Sequence, residues 1–119
     1  HVGHADLAPA DVRRLMGRDA VVGLSITALD ELDAEDLSGV DYLGVGPVFA
    51  TATKPDASPA LGLAGLAAIR AATTLPIVAI GGIDTGIAAA VRAAGADGLA
   101  VVSALMTATD PRAAARALC

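Results

Sequence analysis

Strand and helix signals alternate along the whole chain, which predicts a parallel α/β fold assembled from βα units. Three observations carry this expectation. Short apolar runs recur at Ala20-Val21-Val22-Gly23-Leu24-Ser25, Tyr42-Leu43-Gly44-Val45, Pro76-Ile77-Val78-Ala79-Ile80 and Gly98-Leu99-Ala100-Val101-Val102-Ser103, and buried strands of parallel sheets read as such runs. Amphipathic segments separate them. A faint internal repeat is the third: Gly39-Val40-Asp41-Tyr42-Leu43-Gly44-Val45 resembles Gly95-Ala96-Asp97-Gly98-Leu99-Ala100-Val101, each a helix end, an Asp and a strand.

Repetition of a βα unit suits a (β/α)8 barrel better than a dinucleotide-binding sheet. No GxGxxG or GxxxxGK[ST] stretch occurs, which removes the common nucleotide-loop readings. Four complete strands cannot close a TIM barrel, and half of one would expose two edges of unpaired amides and carbonyls. Residues 1–119 are therefore expected to form the C-terminal half of a single TIM-barrel domain of roughly 200 residues or more. The N-terminal half, not present in this sequence, would come from the rest of the polypeptide or from another subunit.

The elements follow in order. His1-Val2-Gly3-His4-Ala5-Asp6 reads as the tail of a strand and its loop. Pro9 fits a first helical turn, Val12, Leu15 and Met16 supply an apolar face, and Gly17 closes the helix. After the run at 20–25, Leu29, Leu32 and Leu37 mark the inner face of a second helix. Its acids, Asp30, Glu31, Asp33, Glu35 and Asp36, read as a solvated outer surface, because they spread around the helix and no His joins them. Leu63 to Ala72 is a third helix. Asp84 can cap a fourth, with Ile87 and Val91 inward and Gly95 at its end. Asp110-Pro111 opens a terminal helix.

Composition narrows the function classes. A net charge of −5 argues against nucleic acid, which needs a basic surface. One Tyr, one Phe and no Trp leave no stacking platform for bases. No apolar run approaches the roughly 20 residues of a membrane span. The lone Cys119 permits no internal disulfide, and no leader segment is evident, so a cytoplasmic protein is expected.

Chemistry concentrates in loops after strands. The stretch Gly44 to Asp56 (GVGPVFATATKPD) delivers Thr51, Thr53 and Lys54 in a loop about a dozen residues long, against a usual 2–6. Two hydroxyls and an ammonium suit a phosphorylated ligand. Gly81-Gly82 would let backbone approach a ligand closely. If the last two strands are those that close a barrel, Gly82, Val102 and Ser103 form its phosphate site. Ser25 and Lys54 end neighbouring strands and could hold a second anion such as a diphosphate. Asp6 is a candidate Mg²⁺ ligand, since Mg²⁺ takes one or two carboxylates plus phosphate oxygens. His1 and His4 lack partners at metal spacing and read as incidental.

The order HVGxxD, GxS, GVGPVFxTxTKxD, AIGGI and GADGxAVVSA resembles the second half of thiamine-phosphate synthase, with TxTK and its GVGPVF lead-in the most specific part. The resemblance implies a TIM barrel and a transferase of thiamine biosynthesis. Such an enzyme joins the small molecules hydroxymethylpyrimidine diphosphate and thiazole phosphate, with Mg²⁺, giving thiamine phosphate and diphosphate. It implies that Asp6 is one of two Mg²⁺-binding aspartates and that Ser25 and Lys54 contact the pyrimidine diphosphate as the catalytic pair. Thr51, Ala52, Thr53, Gly82, Val102 and Ser103 would bind thiazole phosphate. Departures are His4 in place of the family's Gln, and Ile26-Thr27 where Thr-His is common. The family's QxRxK segment and Asn-Asp pair have no counterpart here, so this segment alone is expected to be inactive. Two alternatives stand beside the synthase: a thiazole tautomerase-like barrel, against which Thr27 counts, and a non-catalytic fragment that binds thiazole phosphate.

Overall fold

The computed structural model describes residues 1–50 and 58–119. Its elements in chain order are α1 (Pro9–Met16), β1 (Gly23–Ile26), α2 (Glu31–Ala34), β2 (Tyr42–Val45), α3 (Gly62–Ala72), β3 (Ile77–Ile80), α4 (Ala88–Ala93), β4 (Gly98–Ala100), α5 (Ser103–Met106) and α6 (Pro111–Leu118). The four strands form one parallel sheet in sequential order. Parallel neighbours joined through helices are what the βα alternation predicts. Val2 adds a parallel bridge to Leu24: its N–H donates to Gly23 O at 2.9 Å, and Ser25 N–H donates to Val2 O at 2.9 Å. His1-Val2 therefore does run beside β1.

The strand period of two sorts the side chains. Leu24, Ile26, Leu43, Val45, Ile77 and Ala79 point to one face, where they are sealed with Leu66 and Ile69 of α3 and Val91 of α4. Burying each large one contributes about 1.5–3 kcal/mol, which fixes the register. Ser25, Tyr42, Gly44, Val78 and Ile80 occupy the alternate positions and line a cleft on the opposite face.

The N-terminal ends of the strands are tied by two equivalent clamps, and these are the two copies of the sequence repeat. Asp41 Oδ2 accepts Val22 N–H at 2.6 Å and faces Arg13 Nη2 at 2.5 Å, while Asp41 N–H donates to Val22 O at 2.8 Å. In the second copy Asp97 Oδ2 accepts Ile77 N–H at 2.8 Å and faces Arg70 Nη1 at 3.2 Å, and Asp97 N–H donates to Ile77 O at 2.9 Å. Each Asp stands immediately before a strand and ties it to the neighbouring one.

The helix ends follow their signals in part. Asp110 is the N-cap of α6, its Oδ1 accepting from Ala113 N. Asp84 does not cap α4 but closes the turn before it, its Oδ1 accepting from Gly86 N and Ile87 N, and the N-cap position of α4 is Ile87. Gly95, at φ +112°, ends α4 in a conformation that side chains resist. The apolar face expected of α1 is corrected: Leu15 and Met16 are exposed, at 74% and 69%. Arg13 takes the inward side instead, donating to Ala20 O, Gly39 O and Asp41, and Leu15 lies about half a turn away. Leu29 is also exposed, because α2 begins only at Glu31; Leu32 and Leu37 do pack on the core. Strand β1 starts at Gly23, leaving Val21 in solvent, and β4 stops at Ala100 before the turn into α5. Among the described residues, no helix is long and apolar enough to cross a membrane.

Candidate functional site

The C-terminal ends of the strands open onto a cleft of about 630 Å³. Asp6, Ser25, Gly82, Val102 and Ser103 all line it, contributed by the loop after Val2, by β1, by the β3–α4 loop and by the β4–α5 turn. The sheet brings together residues nearly a hundred positions apart. Thr51, Ala52, Thr53 and Lys54, the other residues singled out from the sequence, lie outside the described residues.

Asp6 closes a tight turn, its Oδ2 accepting Gly3 N–H at 2.7 Å. Among the described residues no group of three or more His, Cys, Asp or Glu side chains is arranged so that it could hold a metal ion. Asp6 is, among the described residues, the carboxylate lining the cleft that could anchor a cation. That fits the donor set of Mg²⁺, which takes one or two carboxylates and completes its shell with phosphate oxygens and water.

The glycine pair has a job within the protein. At Gly81 (φ +100°) an added Cβ would come within 2.6 Å of Pro47 Cβ; at Gly82 (φ +63°) it would sit 2.7 Å from Phe49 Cβ and 2.8 Å from Ala50 O. Val48 N–H donates to Ile80 O and Phe49 N–H to Gly81 O, so the loops after β2 and β3 run side by side. The missing side chains let these two loops meet, and Gly82 remains exposed toward the cleft. Beyond β4, Val102 O accepts from Leu105 N and Met106 N, which starts α5, and Val102 and Ser103 are both exposed.

Both histidines belong to this site, which revises their reading as incidental. His4 lies at the rim between two carboxylates, with Nδ1 2.8 Å from Glu35 Oε1 and Nε2 3.1 Å from Glu31 Oε2. Two of the five acids assigned to a solvated surface, Glu31 and Glu35, thus pair with His4 and are half-buried, while Asp30, Asp33 and Asp36 remain exposed. The hydrogen bond to Glu35 is the main influence raising the His4 pKa, helped by Glu31 and opposed by burial. For Glu31, burial pushes the carboxyl up. Hydrogen bonds from Thr27 Oγ1 and N, both at 2.6 Å, and from Ala28 N at 3.2 Å outweigh it and hold the group below its ordinary value. His1 spans β1 and β2, with Nε2 3.0 Å from Ser25 Oγ and Nδ1 3.0 Å from Tyr42 OH. No local pattern marks these contacts, because the partners are separated by 24 to 41 residues.

Chemically, the cleft offers the Asp6 carboxylate, the hydroxyls of Ser25, Ser58, Ser103, Thr27 and Tyr42, two imidazoles and turn backbone at the open ends of parallel strands. This is where ligands of parallel α/β proteins bind. The family model described as thiamine monophosphate synthase matches residues 1–105. A thiamine-phosphate synthase of Laribacter hongkongensis is 58% identical over 118 residues, which are 99% of this chain and 56% of that protein. One from Xanthobacter autotrophicus is 56% identical over the same shares. Among solved structures, the thiamine phosphate pyrophosphorylase of Pyrococcus furiosus superposes with a TM-score of 0.85 at 38% identity, covering 98% of this chain and 55% of that one. The chain thus spans about half the length of the curated relatives it matches. On the family model and these likenesses, the chain belongs to the thiamine monophosphate synthase family.

Proposed function

We propose that this chain carries the anion-gripping part of a transferase that condenses hydroxymethylpyrimidine diphosphate with thiazole phosphate, giving thiamine phosphate and diphosphate in the cytoplasm. The single observation behind the reading is the convergence of Asp6, Ser25, Gly82, Val102 and Ser103 on one cleft at the C-terminal ends of the sheet. We further propose that residues 1–119 are the C-terminal half of one TIM-barrel domain. The four sequentially ordered parallel strands and the greater length of the relatives support that.

In this reading Gly82 and the Val102-Ser103 turn hold the thiazole phosphate together with Thr51, Ala52 and Thr53. Ser25 and Lys54 hold the pyrimidine diphosphate. Asp6 would anchor Mg²⁺, which when bound neutralises charge on the diphosphate. The work asked of the protein is electrostatic: Lys54 and the Ser25 hydroxyl stabilise negative charge as it grows on the departing diphosphate, and no side chain attacks the substrate. The electron pair of the breaking C–O bond leaves with diphosphate, and the thiazole nitrogen forms the new C–N bond to the pyrimidine methylene carbon. A tautomerase-like reading has less support. Thr27 stands where a His is needed, and its hydroxyl already donates to Glu31.

Diphosphate release by the complete polypeptide, with both substrates and Mg²⁺, tests the reading. Lys54→Ala is expected to lower turnover about 100-fold or more, in line with losing one charge-stabilising group, with thiazole phosphate affinity little changed. Equal losses in turnover and affinity would show Lys54 to be misassigned. Thiazole phosphate binding without any diphosphate release would favour a non-catalytic binding protein.

A further inference from the structure

We propose that His1 is a positioning residue that sets the direction of the Ser25 hydroxyl proton, so that Ser25 donates into the cleft; this rests on the reading of Ser25 as a diphosphate contact. The geometry is a relay across two strands, Tyr42 OH to His1 Nδ1 at 3.0 Å and His1 Nε2 to Ser25 Oγ at 3.0 Å, and all three side chains line the cleft. The imidazole lies over a bed made of glycine. A Cβ at Gly44 would fall 2.6 Å from His1 Cε1, and one at Gly23 would fall 2.5 Å from His1 Nδ1 and 2.2 Å from the Tyr42 ring. The His1 and Tyr42 rings lie 5.4 Å apart, tilted by 34°. Two side-chain-free positions on adjacent strands thus make room for one imidazole between two hydroxyls.

The chemistry of the three groups then decides the proton order. A neutral imidazole has one donor and one acceptor, and each hydroxyl has one proton. In one arrangement Tyr42 O–H donates to Nδ1 and Nε2–H donates to Ser25 Oγ, leaving the serine proton free. In the other, Ser25 spends its proton on Nε2 and presents only lone pairs to whatever enters the cleft. A phenol, with a pKa near 10, is a much stronger donor than an alkyl hydroxyl, which favours the first arrangement. An anionic ligand favours it as well, because it needs a donor from Ser25 and is repelled by bare lone pairs. Tyr42 thereby selects the imidazole tautomer, and the imidazole aims the serine.

A double-mutant cycle in the complete polypeptide separates aiming from packing. The readouts are kcat and KM for pyrimidine diphosphate and thiazole phosphate, and calorimetric binding of inorganic diphosphate with Mg²⁺. His1→Phe keeps a flat ring and removes both nitrogens. It is expected to weaken diphosphate binding and raise KM for pyrimidine diphosphate about tenfold, with KM for thiazole phosphate unmoved. His1→Gln, which retains a donor at similar reach, should recover part of the loss. In a Ser25→Ala background, His1→Phe should cost nothing further. Tyr42→Phe, which keeps the ring and loses only the hydroxyl, should give a smaller loss of the same kind that also vanishes with Ser25→Ala; it serves where His1→Phe does not fold. Equal cost of His1→Phe or Tyr42→Phe in both backgrounds would overturn the proposal and leave the site reading intact. Unchanged diphosphate binding and turnover in Ser25→Ala alone would instead overturn the assignment of Ser25, and the role of His1 with it.

Discussion

The two ends of the sheet solve opposite problems with the same backbone. At the N-terminal ends, charged side chains consume the polar backbone: Arg13 is spent on Ala20 O, Gly39 O and Asp41, Arg70 on Thr73 O and Asp97, and each Asp on the N–H next to or at the start of a strand. At the C-terminal ends, glycines, serines and small apolar residues at and beyond the strands line an open cleft. One end saturates its hydrogen bonds internally; the other holds hydroxyls and turn amides that a ligand can engage. Stability and recognition are thus expected to separate along the strand direction, as in parallel α/β proteins whose sites lie at the C-terminal ends of the strands. The separation is testable, because changes at each end should move different observables.

The largest expected effect is at the open end. Ser103→Asp puts a carboxylate where the thiazole phosphate is proposed to sit, and like charges brought together cost several kcal/mol. Thiazole phosphate binding, measured by calorimetry, should fall by at least about 100-fold. Ser103 is exposed, so the melting temperature should stay within about 2 °C of the parent, as for most surface substitutions. Unchanged affinity would remove Ser103 from the site.

The converse experiment is at the closed end. Arg13→Leu deletes a guanidinium that donates to three backbone carbonyls in the segments leading into β1 and β2 and to a carboxylate, and should destabilise the protein by about 1–3 kcal/mol. The melting temperature of the complete polypeptide would drop by roughly 2–4 °C per kcal/mol, as for a domain of about 150–250 residues, while KM for both substrates stays constant. Arg70→Leu should cost less, since Arg70 reaches one carbonyl and holds Asp97 at a longer 3.2 Å. A change in KM without a change in melting temperature would mean that the two ends are not separate.

The same divide explains what could be read from the chain. The closed end was legible, because its signal is local and occurs twice: Gly-x-Asp before a strand appears at 39–41 and again at 95–97, and the structure builds the same clamp from each. Asp110 was legible as a cap for the same reason, whereas Asp84 closes the turn before α4 rather than capping it. The α1 face was misread because Leu15 and Met16 outrank Arg13 on hydrophobicity. Nothing local shows that three carbonyls and Asp41 wait for a guanidinium on the inner side. At the open end Asp6, Ser25, Gly82, Val102 and Ser103 were found as strand-end residues. His1 and His4 were missed, since a lone His shows its partner only after the fold has brought Ser25, Tyr42, Glu31 and Glu35 to it.

The smallest effect expected is a pH dependence confined to the closed end. Asp41 has its carboxyl held below the ordinary 3.8, by the Val22 N–H first and by Arg13 second, against a weaker push from burial. A carboxyl whose folded value is depressed contributes stability that is present above its unfolded value and is lost as pH falls through the folded one. Asp41→Asn keeps an acceptor for Val22 N–H but removes the charge. The variant should therefore be less stable than the parent near neutrality, and the gap in urea midpoint should close as the pH is stepped below about 4. Because Asp41 and Arg13 are both reached by solvent, salt should shrink that gap as well. A gap that stays constant from neutral to acid would mean that the clamp works through shape alone, and that its charge contributes nothing.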